Sequence, residues 1–166
     1  MLHIVINLIA LVRGYSREYI KIISVANPNL SLVMEEKDVR MAHRPEKKMY
    51  SKLDDNVLRL VSHDEFTEIR YFYKSVKKGK NDIGVSGENF IPTDKTFLFI
   101  IQEMPEGFRI MHDNSLCLTL RSKERRNRYY VNFTPCVTNE VKQLFSAIPV
   151  YCVDALPQET ETKIYS

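Results

Sequence analysis

The sequence predicts an all-β fold, and three observations predict it. Apolar residues come in short runs broken every few residues by polar turns, the pattern of a β-sandwich or barrel. Only Asn139 to Ala147 leaves room for a helical turn or two. The chain also repeats a strand–turn–strand pattern at a distance, as folds built from a recurring unit do. A length of 166 residues suits one domain, and a composition 44% hydrophobic and 27% charged is that of a globular chain. The formal charge of +3 demands no broad nucleic-acid-binding surface, and nucleic acid is not expected as a partner.

The first element is Met1–Val12 (MLHIVINLIALV), interrupted only by His3 and Asn7. It is shorter than the roughly 20 apolar residues a bilayer span needs. It matches the apolar region of a secretory signal, and Val12 and Gly14 put compact residues where a cleavage site needs them. Residues 1–14 are therefore expected to be a signal peptide and the mature chain to be extracellular. Their removal would take one arginine and leave a formal charge of +2. No Lys or Arg precedes the run, and Ile4-Val5-Ile6 also suits a buried strand. An intracellular barrel that begins with this strand stays open as an alternative.

Strands are expected at Tyr19–Ile23, Leu30–Val33, Val39–Met41 and Val57–Val61. Turns separate them at Asn27-Pro28-Asn29, Glu35–Asp38 and Asp54-Asp55-Asn56. Glu68–Val76 (EIRYFYKSV) is rich in β-branched and aromatic residues and reads as one strand. Thr96–Gln102 (TFLFIIQ) reads as a continuous apolar strand, and Phe108–Met111 as another. Loops are expected at Lys77–Asp82, Ser86–Asn89 and Pro105-Glu106-Gly107. The folded domain is expected over residues 15–153, with a polar C-terminal tail over 154–166.

The repeat is visible in Asn27–Leu32 (NPNLSL) and Asp113–Leu118 (DNSLCL), where Ser31 and Cys117 lie 86 positions apart. Each segment is followed by a charged turn and an alternating strand, Val39-Arg40-Met41 and Val131-Asn132-Phe133, and then by an aromatic, Tyr50 and Phe145. The spacing leaves room for one more unit of about 40 residues, from Asp55 to about Glu103. That stretch aligns poorly with the other two.

Leu116-Cys117-Leu118-Thr119-Leu120, Val131-Asn132-Phe133-Thr134-Pro135-Cys136 and Gln143-Leu144-Phe145 together resemble one repeat of the ricin-B-type lectins. That family's repeat has a Cys-Leu strand, a second strand ending in Pro-Cys, and a Gln-x-Trp. Phe145 stands at the Trp position, and the chain contains no Trp at all. In the first unit, Ser31 and Arg44 stand at the two cysteine positions and Tyr50 at the Trp. The resemblance implies a β-trefoil of three repeats, with Phe145 and Tyr50 as aromatic wedges under the barrel. It also implies a Cys117–Cys136 disulfide, worth about 3 kcal/mol for a loop of this length. Cys152 is then left as a buried thiol or a link to a partner.

A sugar site of this type needs a carboxylate for two hydroxyls, an aromatic face for the ring and an amide for further hydrogen bonds. The resemblance puts the carboxylate at Thr119 or Val33 and the aromatic at Thr134, none of which is the residue required. Asn132 and Gln143 remain as polar contributors, Gln143 more as a structural group. A second candidate surface is the cationic run Arg121, Lys123, Arg125, Arg126 and Arg128, followed by Tyr129 and Tyr130. Lys74, Lys77, Lys78 and Lys80 form another. Such loops hold sulfated glycans or anionic surfaces by charge and hydrogen bonding, although a charge run is more often a solvated face.

Two glycosylation sequons, Asn29-Leu30-Ser31 and Asn132-Phe133-Thr134, fall in expected strands. The sequence carries none of the common nucleophile, phosphate-loop or metal-ligand motifs. No enzyme, cofactor or metal is expected. The reading is a secreted lectin-like protein whose partner is a carbohydrate, a glycosaminoglycan or a surface protein. Similar divergent exported proteins of spore-forming intracellular parasites imply a setting of spore coat, polar tube or host attachment. A trefoil protein ligand or protease inhibitor with no glycan affinity is the alternative.

Overall fold

The structure is a computed structural model that describes residues 19–72, 74–79, 83–85 and 95–153. The expected signal segment, the C-terminal tail, the loop at Ser86–Asn89 and Lys80 lie outside the described residues. Among the described residues the chain forms strands and two short 3-10 turns, with no α-helix and so no helix able to cross a membrane.

The strands are β1 (Ile20–Ser24), β2 (Leu30–Glu35), β3 (Asp38–His43), β4 (Arg59–His63), β5 (Phe66–Tyr71) and β6 (Lys74–Lys78). They continue as β7 (Ile83–Val85), β8 (Ile100–Met104), β9 (Gly107–His112), β10 (Leu116–Arg125), β11 (Arg128–Pro135) and β12 (Phe145–Pro149). The antiparallel order β11-β10-β9-β12-β1-β2-β3 closes on itself because β11 also pairs with β3, through Arg128↔Ala42 and Tyr129↔Met41. A closed circuit leaves no free sheet edge there. Beyond it, β3 continues to β7, β6, β5 and β4, and β8 pairs with β9. Two bridges, Ile20↔Leu58 and Thr67↔Phe99, tie this second arm back to the circuit.

Inside lies one apolar core that includes Ile22, Leu32, Met41, Ile110, Leu118 and Phe145. Phe145 is fully buried, as expected of an aromatic wedge. Tyr50 is also buried, in a smaller cluster with Val57 and Cys152. Its hydroxyl accepts from Lys21 Nζ at 3.1 Å and from the Lys47 amide at 3.1 Å, which lets a polar tip sit inside. Burial disfavours the charged Lys21 ammonium, but hydrogen bonds to Tyr50 and Glu46 outweigh it and raise the Lys21 pKa. Gly107 opens β9 because a Cβ there would lie 2.5 Å from the Phe145 carbonyl oxygen. Only glycine lets β9 approach β12 that closely.

The two repeated hairpins superpose residue for residue in their pairing. In β2–β3, Ser31 faces Ala42, Leu32 faces Met41 and Val33 faces Arg40. In β10–β11, Cys117 faces Thr134, Leu118 faces Phe133 and Thr119 faces Asn132. Ser31 and Cys117 also meet the preceding strand alike, at Ile23 and Met111. The middle stretch follows another pattern: β4 and β5 pair over five positions around a tight turn in which Asp64 has a φ of 56°.

Cys117 and Cys136 form the disulfide, with a Cα separation of 5.0 Å. The first hairpin has a polar counterpart in its place. Arg44 makes a two-pronged contact with Asp55, at 3.0 and 2.7 Å, and also reaches Glu35 Oε1 at 2.9 Å. Parallel N–H donors on one carboxylate make this a geometrically specific pair, partly shielded from water. Arg44→Ala is expected to destabilise the protein by about 1–2 kcal/mol, discounted for its partial exposure. Urea titration of the two proteins would measure it, and a midpoint unchanged from wild type would contradict the assignment.

Three expected elements differ. Glu68–Val76 is not one strand: Phe72 sits at a φ of 53°, in the left-handed region, and turns the chain between β5 and β6. Aromatic content made the stretch look continuous, but backbone geometry at one residue decides a turn. Thr96–Gln102 is divided between a 3-10 turn at Lys95–Phe97 and the start of β8. The cationic run expected as a turn is mostly strand: β10 extends to Arg125, and the chain reverses at Asn127, whose φ is 59°. The helical turn sought in Asn139–Ala147 is the single 3-10 turn Val141–Gln143.

Candidate functional site

The position that the lectin resemblance marks is assembled but internally occupied. Thr119 and Thr134 lie diagonally across β10 and β11, opposite Asn132 and Cys117 respectively, with their hydroxyls 2.6 Å apart. Gln143 is 1% exposed and closes the group from the 3-10 turn. Its Oε1 accepts from the Val137 amide at 2.9 Å. Its Nε2 donates to the Pro135 carbonyl at 2.9 Å and lies within 3.3 Å of both threonine hydroxyls. Both ends of the amide are thus engaged inside the fold, in keeping with a structural glutamine. Asn132, half-buried beside them, has an enclosed Oδ1 that accepts no hydrogen bond among the described residues.

The cationic run divides. Arg121, Lys123, Arg125 and Arg126 are exposed and ion-pair with no described residue. Burial along β10 shows why: Cys117 to Leu120 face the core, and every residue from Arg121 to Arg125 is exposed. β10 therefore passes from core to surface where apolar residues give way to charge, while the turn end of β11 stays paired to β3 and the Asn127 carbonyl accepts from the His43 amide at 2.9 Å, so the cations lie exposed on a hairpin anchored to the barrel. Arg128, read from sequence with the other four, is only 8% exposed and belongs elsewhere. It pairs with Glu35 and with Glu124, and Glu124 also holds Arg40 at 3.2 Å. These charges tie the turn end of the hairpin to β2–β3. Arg40 in turn lies 4.8 Å from the ring centre of Tyr130, a cation–π contact. The lysine run is partly engaged: Lys77 lies 5.7 Å from the Phe97 ring centre, and Lys78 donates to the Gly79 carbonyl.

Sequence reasoning missed two clusters. The first is in β4–β6, where Glu68 is fully buried and takes Arg70 Nε at 3.0 Å, Ser75 Oγ at 2.7 Å and His63 Nε2 at 2.5 Å. Burial pushes this carboxyl up, but Arg70, Ser75 and His63 together outweigh burial and hold it below the usual carboxylate range. The second is a cleft of about 270 Å³ between the β8–β9 turn and the segment leading into β12. Arg109, Glu106, Asn139 and Glu140 line it over Met104, Pro105 and Leu144. Among the described residues no three His, Cys, Asp or Glu side chains converge as metal ligands would. Cys152 is 7% exposed, packed with Tyr50 and Val57, so a disulfide to a partner would first have to uncover it.

No protein-family model matches the chain, and no characterised protein matches it in sequence. Solved structures do match in shape. The BEL beta-trefoil aligns with a TM-score of 0.59 and 13% identity, over 80% of this chain and 93% of its own. The chain folds as a β-trefoil. A Polyporus squamosus lectin, solved with a human-type influenza-binding epitope, aligns with a TM-score of 0.58 and 14% identity, over 80% of this trefoil and 49% of the lectin. Cry35Ab1 aligns with a TM-score of 0.64 and 19% identity, over 86% of this trefoil. The trefoil spans only 38% of Cry35Ab1, so the likeness concerns one part of that protein. At these identities the likeness is one of fold, and function has to be argued from the sites.

Proposed function

We propose that this trefoil is a secreted, non-catalytic, lectin-like module that binds sulfated or otherwise anionic glycans on a cell or spore surface through the tip of β10–β11. The observation that carries the reading is the turn end of β10–β11, where four exposed cations are paired to no described acid. Arginine forks match sulfate oxygens two at a time, and the neighbouring Tyr130 is 41% exposed and offers part of a ring. The standard sugar position is an unfavourable rival because Thr119, Thr134 and Gln143 satisfy one another. Secretion is supported by the apolar Met1–Val12 run and by a disulfide, a bond that persists in oxidising compartments. A lectin among the fold neighbours accords with glycan binding.

The test is retention on immobilised heparin. Wild type is expected to bind at about 0.1 M salt and to release as salt screens the contacts. The charge-reversed Arg125→Glu/Arg126→Glu protein is expected to bind about tenfold more weakly or worse. Equal retention of the two proteins, or no retention of wild type, would sink the proposal. Binding to a protease or receptor without glycan affinity would instead favour the protein-ligand alternative.

A further inference from the structure

We infer that the cleft between the β8–β9 turn and the segment before β12 is a second binding site, one that takes a single uncharged pyranose ring. It is separate from the cationic tip and does not depend on it. Part of its lining is apolar, from Met104, Pro105 and the buried Leu144. Residues with hydrogen-bonding groups of both kinds line it as well: Glu106, Glu140, Asn139 and Arg109. A sugar needs this combination, because hydroxyls both donate and accept while the ring's C–H face seeks an apolar surface.

Two details mark the cleft as built. Arg109 is held by its Nη2, which donates to the Val137 carbonyl at 2.8 Å. Its Nε is enclosed and has no hydrogen-bond partner among the described residues. Glu140 is fixed too: its Oε1 accepts from the Lys142 amide at 3.1 Å and caps the 3-10 turn. Asn139 holds a φ of 58°, the left-handed conformation that asparagine tolerates, at the start of this capped segment. The cleft volume of about 270 Å³ lies below the range typical of drug-sized ligand pockets, which favours one ring over an oligosaccharide.

The test is amide chemical-shift mapping of the full trefoil with free galactose, glucose, mannose, N-acetylglucosamine and N-acetylgalactosamine, each to about 50 mM. At least one sugar is expected to bind in the millimolar range. Its shifts should be confined to residues 104–109 and 139–144. Glu106→Gln keeps side-chain size at an exposed position, and Asn139→Gly keeps the positive φ, so both variants should fold. Each is expected to weaken the sugar about tenfold while leaving heparin retention unchanged. Absence of shifts with all five sugars, shifts centred on Asn132 and Thr134 instead, or undiminished binding in both variants would overturn the inference. Loss of heparin retention in Arg125→Glu/Arg126→Glu with sugar shifts intact would show the two sites to be independent.

Discussion

Replacing Glu68 with alanine is expected to destabilise the protein by about 3–5 kcal/mol, the range for removing one partner of a buried charge cluster. Glu68 has no exposed surface, and it accepts from Arg70, Ser75 and His63 across β4, β5 and β6. Alanine removes those charge-assisted hydrogen bonds together and leaves a void in the middle of the second arm. For a domain of this size the melting temperature should fall by roughly 10 °C.

The same residue sets an acid limb. Its carboxyl is held below the usual value in the folded state. Between the folded and unfolded pKa values the unfolded chain therefore binds more protons, and stability rises with pH there. The contribution is fully present above the unfolded value and is lost as pH falls through the folded one. Glu68→Gln keeps the volume but has no charge to protonate, so its stability should vary less with pH below about 5. Parallel acid-unfolding curves for wild type and Glu68→Gln would refute this account.

Removing the Cys117–Cys136 bridge is the second large change. The two residues are 19 apart, and opening a loop of that length returns about 3 kcal/mol of chain entropy to the unfolded state. The Cys117→Ser/Cys136→Ser protein should melt roughly 6–12 °C lower than oxidised wild type. Wild type in reductant should match the double variant. Iodoacetamide should leave Cys152 unmodified in the folded, oxidised protein, because its side chain is buried against Tyr50 and Val57. Coincident melting of oxidised wild type and the double variant would mean that the bridge contributes nothing.

The two hairpins differ in how they meet the same constraint. The β10–β11 hairpin has a covalent tie, whereas β2–β3 has Ser31 against the Ala42 carbonyl and Arg44 clamped between Asp55 and Glu35. The exchange was half legible: the resemblance to the ricin-B-type repeat put Ser31 and Arg44 at the cysteine positions, but nothing local named Asp55 and Glu35 as the partners of Arg44.

By itself the sequence determined the all-β class, the position of most strands, and the likeness of Leu30–Leu32 to Leu116–Leu118, which the structure pairs in the same register. These follow from local rules: alternation, turn residues, and a Cys-Pro-Gln-aromatic pattern whose offsets survive in the chain. It also showed apolar residues stopping at Leu120 and charge beginning at Arg121, but as a turn, where the structure continues β10 to Arg125. Tertiary structure alone decided which charged residues are surface and which are scaffold. Arg128 and Arg126 are two positions apart in one cationic run, yet Arg128 is buried because Glu35 waits on another hairpin. Glu68 is charged and buried, which no local pattern reveals, since Ser75 and His63 reach it only once β6 and β4 pair with β5. The cleft at Arg109 and Asn139 joins segments about 30 residues apart. Burial and charge pairing are set by neighbours distant along the chain, and those neighbours exist only after the barrel closes.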